Sequence, residues 1–425
     1  MSGIIITVWL LGITLLALMQ PVAGPLVYYL IVWMHPEEQM YGGLSLRWTL
    51  LIALTSMMGY LFVGKERQTP NNAILFFLVI LALWYVLAAL ANNVDAAEFA
   101  LATDFVKLIV MSWVTACVIN TRARLHALVW IIVICIGSVS FRTGLLTVVT
   151  GGGGVILGPD FLGQTNEYAR VVIYTWPLMI FLARHSAHYY VRLGHGVLAT
   201  MAVFTLIGTN SRGALVAFVA MCAVLWMYGN KKIVSALLIV IFVSGAYFVL
   251  PPNRLESFTN RTATIENPNE DSSFTSRTNA WAFGWSYALN NPVFGGGPHT
   301  FEREHGIASH SSYFEVLGES GFVGLAVYII IALLAFATIF RIRKRTKGIT
   351  ELIWAHDLAF YIMISLVGYF VGGITKNHGF FEYYYMLLGI LMGLETAVNK
   401  ALAAQTKNQR IDNASFAMDA VPQNP

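Results

Sequence analysis

Apolar runs of about 20 residues recur along nearly the whole chain, and a helix of that length crosses the hydrocarbon core of a bilayer. Of the 425 residues, 57% are hydrophobic and only 11% are charged. A soluble domain carries roughly 25% charged residues, so an ordinary water-facing protein is excluded. We therefore predict an all-α polytopic membrane protein.

Thirteen apolar runs are candidate membrane spans, although the run 23–34 is too short to cross a bilayer alone. Residues 3–34 could instead form one long helix that is broken around Pro21 and Pro25. That arrangement gives about 12 transmembrane helices and favours a cytoplasmic position for both chain ends. The thirteen runs are 3–20, 23–34, 47–64, 72–91, 104–120, 125–141, 167–184, 193–208, 212–228, 232–250, 312–340, 353–372 and 380–397.

The connections between these runs differ in charge. Five of them are basic, and an excess of Lys and Arg marks the connections that remain in the cytoplasm. The other connections then face outward, and the longest of these is 251–311. The basic connections are 65–68, 121–124, 183–192, 230–232 and 341–347.

This pattern divides the chain into four parts. They are N-terminal transmembrane helices (1–250), a long outward loop (251–311), C-terminal transmembrane helices (312–397) and a polar cytoplasmic tail (398–425) that we expect to be poorly ordered. A loop as long as the second part is usually functional or disordered. Its segment 275–290 repeats apolar residues at helical spacing and contains several aromatic residues, which suits a helix at the level of the lipid headgroups.

The sequence shows no sign of a metal or disulfide site. The three cysteines, Cys117, Cys135 and Cys222, lie inside apolar runs, and the chain contains no Cys-x-x-Cys motif and no His/Cys cluster. The cysteine pattern therefore indicates neither a disulfide framework nor a zinc site, and we expect no cofactor.

Arginine is unusually frequent on the predicted outward side, where the orientation rule disfavours it. Arg170 and Arg212 lie within about one turn of the membrane, and a charge there is costly unless it is paired. Pairing with carboxylates or lipid headgroups is the better explanation of any single arginine, but several on one face favour an anionic ligand such as a phosphate. The outward cations are Arg47, Lys107, Arg142, Arg170, Arg212, Arg254, Arg261, Arg277, Arg303 and Lys376.

Two short motifs place these arginines at helix starts. In Thr-Asn-Ser-Arg-Gly (209–213), Asn210 or Ser211 can cap a helix that begins at Arg212. In Asn-Glu-Tyr-Ala-Arg (166–170), Asn166 and Arg170 share one helical face, while Glu167 could pair with Arg170 at a spacing of three.

Two further motifs follow in the second half of the chain. Thr-Ser-Arg-Thr-Asn-Ala-Trp (275–281) places Arg277 one turn before Trp281. His310 then stands just before an apolar run, with Ser309 or Ser311 as the expected helix cap. A lone histidine there is more often structural than catalytic, but its ordinary pKa near 6.5 lets it accept a proton at neutral pH.

Together these residues resemble the O-antigen ligase and polymerase superfamily of bacterial envelope glycosyltransferases. The signature of that superfamily is His-[Asn/Ser/Gln]-x9-Gly-x-x-Gly after a long periplasmic loop, and His310, Ser311, Gly321 and Gly324 match its spacing. Ser-Arg-Gly at 211–213 and Ser-Arg-x-x-x-Trp at 276–281 also resemble family positions. The resemblance covers about residues 140–400.

The resemblance implies a metal-independent, inverting transfer of a glycan from undecaprenyl pyrophosphate to a sugar hydroxyl of lipid A–core. The reaction would occur at the periplasmic face of the bacterial inner membrane, in contact with membrane lipids and without nucleic acid. It also implies that Arg212 and Arg277 hold the pyrophosphate and that His310 is the base. We expect further substrate contacts from Arg142, Asn166, Arg170, Ser211, Trp281, Ser311 and Lys376.

Three alternatives remain open at this stage. A polymerase of the same superfamily joins repeat units, and a protein O-oligosaccharide ligase glycosylates proteins, so all three enzymes share one chemistry. A transporter of lipid-linked glycans would instead place ionisable residues near the middle of the membrane. The outward clustering of charges disfavours transport.

Overall fold

A computed structural model describes residues 2–36, 46–64, 70, 72–151, 165–209, 211–229 and 272–419 of the chain. All regular secondary structure within these ranges is helical. The α-helices are α1 (Ser2–Met19), α2 (Ala23–Met34), α3 (Trp48–Met58), α4 (Ala73–Ala91), α5 (Ala96–Val118), α6 (Arg122–Thr150), α7 (Thr165–His185), α8 (Tyr189–Thr209), α9 (Arg212–Tyr228), α10 (Ser272–Asn290), α11 (Thr300–His305), α12 (Ser312–Thr346), α13 (Ile353–Gly372) and α14 (Glu382–Asp419).

Seven of the described helices are long and apolar enough to cross a membrane, namely α4, α5, α6, α8, α12, α13 and α14. Shorter apolar helices include α1, α2, α3 and α9. The chain is therefore a multi-pass membrane protein. The count of 12 spans remains a prediction, because the run 232–250 lies outside the described residues.

Residues 3–34 form two helices, with a break at 20–22. The α1–α2 turn lies beside the C-terminal end of α3, because a Cβ atom built on Gly59 would touch the backbone of Leu18 and one built on Gly24 would touch Ser56. At the other terminus, α14 continues to Asp419, so the tail that we expected to be poorly ordered is helical over most of its length.

The helices of the bundle place two different sets of charges at its two ends. At one end, Arg122 lies over the ring of Trp354, with 5.8 Å between guanidinium carbon and ring centroid. His185 Nε2 lies 2.8 Å from Asp357 Oδ2 at this same end. We call it the basic end, because the connections 121–124, 183–192 and 341–347 meet there. The opposite end, which we call the site end, carries the first residues of α7, α9 and α12.

The core at the site end is made of aromatic residues from α7, α13 and α14. Tyr174, Tyr369, Tyr383 and Tyr384 are fully buried and contact one another at ring-centroid distances of 5.2–5.8 Å. Such side chains are long and rigid, so they hold the ends of the three helices in a fixed arrangement.

Helix α12 is interrupted near its beginning by Gly321, whose φ of 68° and ψ of −173° are non-helical. The break frees two carbonyl groups, and these accept hydrogen bonds from a preceding turn: Gly296 N–H donates to Gly318 O (2.9 Å) and Gly297 N–H donates to Glu319 O (3.0 Å). The buried Glu319 carboxylate also accepts from Tyr85 Oη at 2.6 Å. The spacing of the Gly-x-x-Gly motif alone does not predict this role of Gly321.

We predict that Gly321→Ala destabilises the protein. Its φ and ψ are accessible almost only to glycine, at a cost of about 1–3 kcal/mol for another residue, and a Cβ atom there would also press on the carbonyl oxygens of Pro292 and Val293. The midpoint of thermal unfolding in detergent, at one scan rate, should fall by roughly 2–5 °C. Gly194→Ala is the control, because a Cβ atom on Gly194 meets nothing within 4 Å. Equal midpoints for both variants would contradict the role of Gly321.

Candidate functional site

Arg170 is the most buried cation at the site end, with only 3% of its surface exposed. Its Nη2 donates to Thr375 Oγ1 at 2.9 Å and to Thr375 O at 3.3 Å. Its Nε and Nη1 are buried as well, and neither has a hydrogen-bond partner within the described ranges. A guanidinium with unused donors is costly to bury, so the position calls for an anion or another polar partner.

The Ser-Arg-Gly motif explains how Arg170 fits against α9. Ser211 Oγ accepts a hydrogen bond from Ala214 N at 3.4 Å, which confirms the predicted helix cap. Arg212 is the first residue of α9. A Cβ atom on Gly213 would collide with Arg170 Nη2 and Thr375 Oγ1. The absence of a side chain at Gly213 therefore leaves room for the guanidinium and the threonine hydroxyl to meet.

Lys376 forms an ion pair with Glu167, and both side chains are mostly buried. The spacing of Glu167 and Arg170 allows them to pair on one helix. In the structure the ion-pair partner of Glu167 is Lys376, and the charge of Glu167 acts on Arg170 only at longer range. The Glu167 carboxylate therefore faces two cations, Lys376 and Arg170.

His310 lies in a short turn between α11 and α12, where its φ of 49° is in the left-handed region. Few residues other than glycine adopt this conformation, and such strain is common at functional sites. The turn is held on both sides: Ser309 Oγ lies 2.9 Å from Asn377 Oδ1, and Ser311 N donates to Asn377 Oδ1 at 3.2 Å. Ser311 is the N-cap residue of α12, but its side chain makes no capping hydrogen bond.

Helix α10 is attached to this turn through Trp281. The indole Nε1 donates to Ser309 O at 3.0 Å, and the ring stacks on Phe314 with 5.6 Å between centroids and 9° between planes. Arg277 lies one turn earlier on α10, and its charge acts on both Arg170 and His310. The loop segment and the bundle thus contribute to one site.

Burial lowers the pKa of His310 below 6.5, and the charges of Lys376, Arg277 and Arg170 lower it further, against a small opposing effect of Glu302. The imidazole is therefore neutral at neutral pH and can accept a proton. The starts of α7, α9 and α12 lie at the same end, and helix N-termini favour bound anions. This arrangement suits an anionic ligand next to a neutral base.

The four other outward cations that the structure describes do not join this cluster. Arg47 and Lys107 pair with Asp104, and Arg303 pairs with Glu98 and Glu304. Arg142 is exposed on α6 and has no hydrogen bond or ion pair to a described residue of the site. Arg254 and Arg261 lie outside the described residues, as does the side chain of Asn166.

Sequence reasoning missed Thr375 and Asn377, which hold Arg170 and the His310 turn respectively. Their only signal was a run of hydrogen-bonding residues on both sides of Lys376, between two apolar stretches. Among the described side chains, no group of three or more His, Cys, Asp or Glu is arranged to hold a metal ion.

Comparison with known proteins adds two matches to family models. Residues 1–187 match a model described as a family of unknown function. Residues 197–329 match a model described as O-antigen ligase, and this stretch contains Arg212, Arg277 and His310. No curated protein matches the chain. The match over 197–329, together with the motifs that it contains, supports membership of the O-antigen ligase superfamily.

Proposed function

We propose that this protein is an O-antigen ligase that transfers a glycan from undecaprenyl pyrophosphate to a sugar hydroxyl of lipid A–core. The observation that carries the proposal is that the connection after α13 joins the buried Arg170 to the His310 turn, because Thr375 bonds to Arg170 and Asn377 bonds to Ser311. The charges of Arg170, Arg277 and Lys376 all act on His310. Arg212 begins the helix whose next residue, Gly213, packs on Arg170. A lipid pyrophosphate is the anionic leaving group that this set of cations suits.

The proposed reaction is a single displacement at the anomeric carbon of the first sugar. The acceptor hydroxyl oxygen forms the new bond to this carbon while the bond to the pyrophosphate oxygen breaks, so the configuration inverts. His310 takes the hydroxyl proton, and the pyrophosphate leaves on its lipid with the bonding electron pair. Arg212 and Arg277 stabilise the charge that develops on the leaving group, which a metal ion would otherwise do.

The orientation of the site follows from the charge asymmetry of the bundle. The basic end meets the positive-inside rule if it faces the cytoplasm. The site end would then face the periplasm of a bacterial inner membrane, where a lipid-linked glycan and lipid A–core can both reach it. Both substrates are lipids, so an active site at the end of a membrane bundle suits them.

The acceptor distinguishes the ligase from related enzymes, and a defined transfer assay tests it. Purified protein would receive undecaprenyl-pyrophosphate-linked glycan and lipid A–core, with EDTA present. We expect glycan on lipid A–core in the presence of EDTA, and a loss of about 100-fold or more in rate for His310→Ala. Longer glycan on the lipid carrier would instead make this protein a polymerase. Product on neither lipid would favour a protein acceptor or transport.

Arg212→Ala and Arg277→Ala should each lower the transfer rate by about 100-fold or more, because each removes a donor to the leaving group. Lysine replacements should also be poor, since a point charge cannot replace a bidentate contact. Membrane insertion should be unchanged. Arg345→Ala is a suitable control, because Arg345 lies near the C-terminal end of α12 and bonds to Asn399. Normal transfer by the Arg212 and Arg277 variants would refute the pyrophosphate assignment.

The lowered pKa of His310 predicts the pH dependence of transfer. The imidazole stays neutral above its lowered pKa, so kcat/KM should persist somewhat below pH 6.5 and fall as the pH drops through that pKa. Lys376→Met removes a positive charge that lowers this pKa, so the acidic limb should move to higher pH. An acidic limb that is unchanged in Lys376→Met would show that His310 is not the group being titrated.

Glu167 should weaken binding of an anionic ligand, because its carboxylate occupies Lys376 and adds a negative charge to the site. Removing one like charge a few ångströms from a bound phosphate changes binding by about 1 kcal/mol, roughly fivefold in Kd. Glu167→Gln should therefore bind inorganic pyrophosphate about fivefold more tightly, as measured by thermal-shift titration. Glu304→Gln, which breaks the ion pair with Arg303, is the control. Weaker binding by Glu167→Gln would mean that Glu167 supports the site.

A further inference from the structure

His378 lies directly behind the site, in the connection between α13 and α14. Its ring is only 2% exposed and stacks on Phe381 with 4.8 Å between centroids and 21° between planes. Its backbone is fixed, because its N–H donates to Ser312 Oγ at 2.9 Å and its carbonyl oxygen accepts from Tyr369 Oη. Both ring nitrogens are nevertheless buried without a hydrogen-bond partner among the described residues.

Two neighbours of His378 carry unpartnered polar atoms as well. Tyr174 lies one turn after Arg170 on α7, and its ring centroid is 6.1 Å from that of His378. The Tyr174 hydroxyl, together with Arg170 Nε and Nη1, is buried without a partner in the described part of the chain. Burial lowers the pKa of His378 well below 6.5, and the charges of Arg170 and Lys376 act in the same direction. His378 therefore adds no charge to the site.

Five buried polar atoms thus lack a partner among the described residues: both ring nitrogens of His378, the Tyr174 hydroxyl oxygen, and Arg170 Nε and Nη1. Their hydrogen-bonding capacities complement one another. Arg170 offers only donors, a neutral imidazole offers one donor and one acceptor, and a tyrosine hydroxyl can do both. Buried water is stabilised when it meets two to four such groups. A single set of bridging waters could therefore satisfy all three side chains at once, whereas each alone would be costly to bury.

We propose that His378 is a positioning residue, which holds the Arg170 guanidinium toward the pyrophosphate through ordered water shared with Tyr174. This inference rests on the proposed function, because Arg170 needs an anion to bind. In this arrangement the imidazole accepts from water, and water accepts from Arg170. The guanidinium is thereby fixed on one side by His378 and on the other by Thr375.

The competing explanation is that His378 merely fills space in an aromatic core. His195 on α8 provides a matched case, since it is 3% exposed, lies edge-on to Trp130 at 4.4 Å, and also has two ring nitrogens without partners in the described ranges. His195 lines a cavity together with Trp130, Ile134 and Tyr190, none of which belongs to the site. A purely structural histidine should therefore behave as His195 does.

The test compares His378→Phe with His195→Phe, because phenylalanine keeps the ring packing and removes only the nitrogens. Thermal unfolding of the full chain in detergent would be followed with and without inorganic pyrophosphate. Both variants should unfold at or above the wild-type temperature without ligand. His378→Phe should raise the Kd for pyrophosphate about tenfold or more, His195→Phe should not change it, and His378→Gln should restore part of the binding.

Two other outcomes would overturn the inference in distinguishable ways. If His378→Phe binds pyrophosphate as the wild type does, His378 does not position Arg170, and the proposed function is unaffected. If the wild type itself is not stabilised by pyrophosphate, the proposed pyrophosphate site is wrong and the role of His378 is refuted together with it.

Discussion

Burying the Arg170 guanidinium at the end of an apolar bundle is the constraint from which the site follows. The group loses its water, and Thr375 returns only part of the lost hydrogen bonding. The nearest carboxylate, Glu167, is paired with Lys376 instead. Further cations on α9 and α10 increase the positive potential. Such an arrangement favours a bound anion, and binding of the proposed pyrophosphate would offset part of the cost of burying Arg170.

The backbone break at Gly321 helps to place α10 and the His310 turn beside the part of the site that contains Arg170. Because α12 is interrupted there, the turn at 295–297 bonds to α12, and the helices before and after this turn are held against the bundle. Trp281 then fixes α10 to the His310 turn, and Asn377 fixes the same turn to the connection after α13. The turn that carries His310 in its strained conformation is thus held by contacts from two elements, α10 and the connection after α13.

Sequence reasoning predicted the parts of the structure that depend on local pattern. Hydropathy predicts the helical spans, residue type predicts the cap at Ser211, and apolar spacing predicts the helix containing Trp281. Each of these signals lies within one short segment of the chain. Contacts between distant segments do not leave such a pattern. Three findings depend on how the helices pack: Lys376 pairs with Glu167, Gly213 leaves room for Arg170, and Arg142 lies away from the site. The break within 3–34 was predicted from Pro21 and Pro25 and lies at 20–22. The helical tail was missed because its polarity suggested a poorly ordered segment.

The central claim is that Arg170, Arg212, Arg277 and Lys376 bind the pyrophosphate of a lipid carrier. An electron cryo-microscopy map of the protein in lipid nanodiscs, with undecaprenyl pyrophosphate added, tests it most directly. The account predicts density for the pyrophosphate among these four side chains, with His310 facing the position of the first sugar and the lipid tail leading into the membrane. Pyrophosphate density at the basic end, or anywhere away from Arg170, would contradict it.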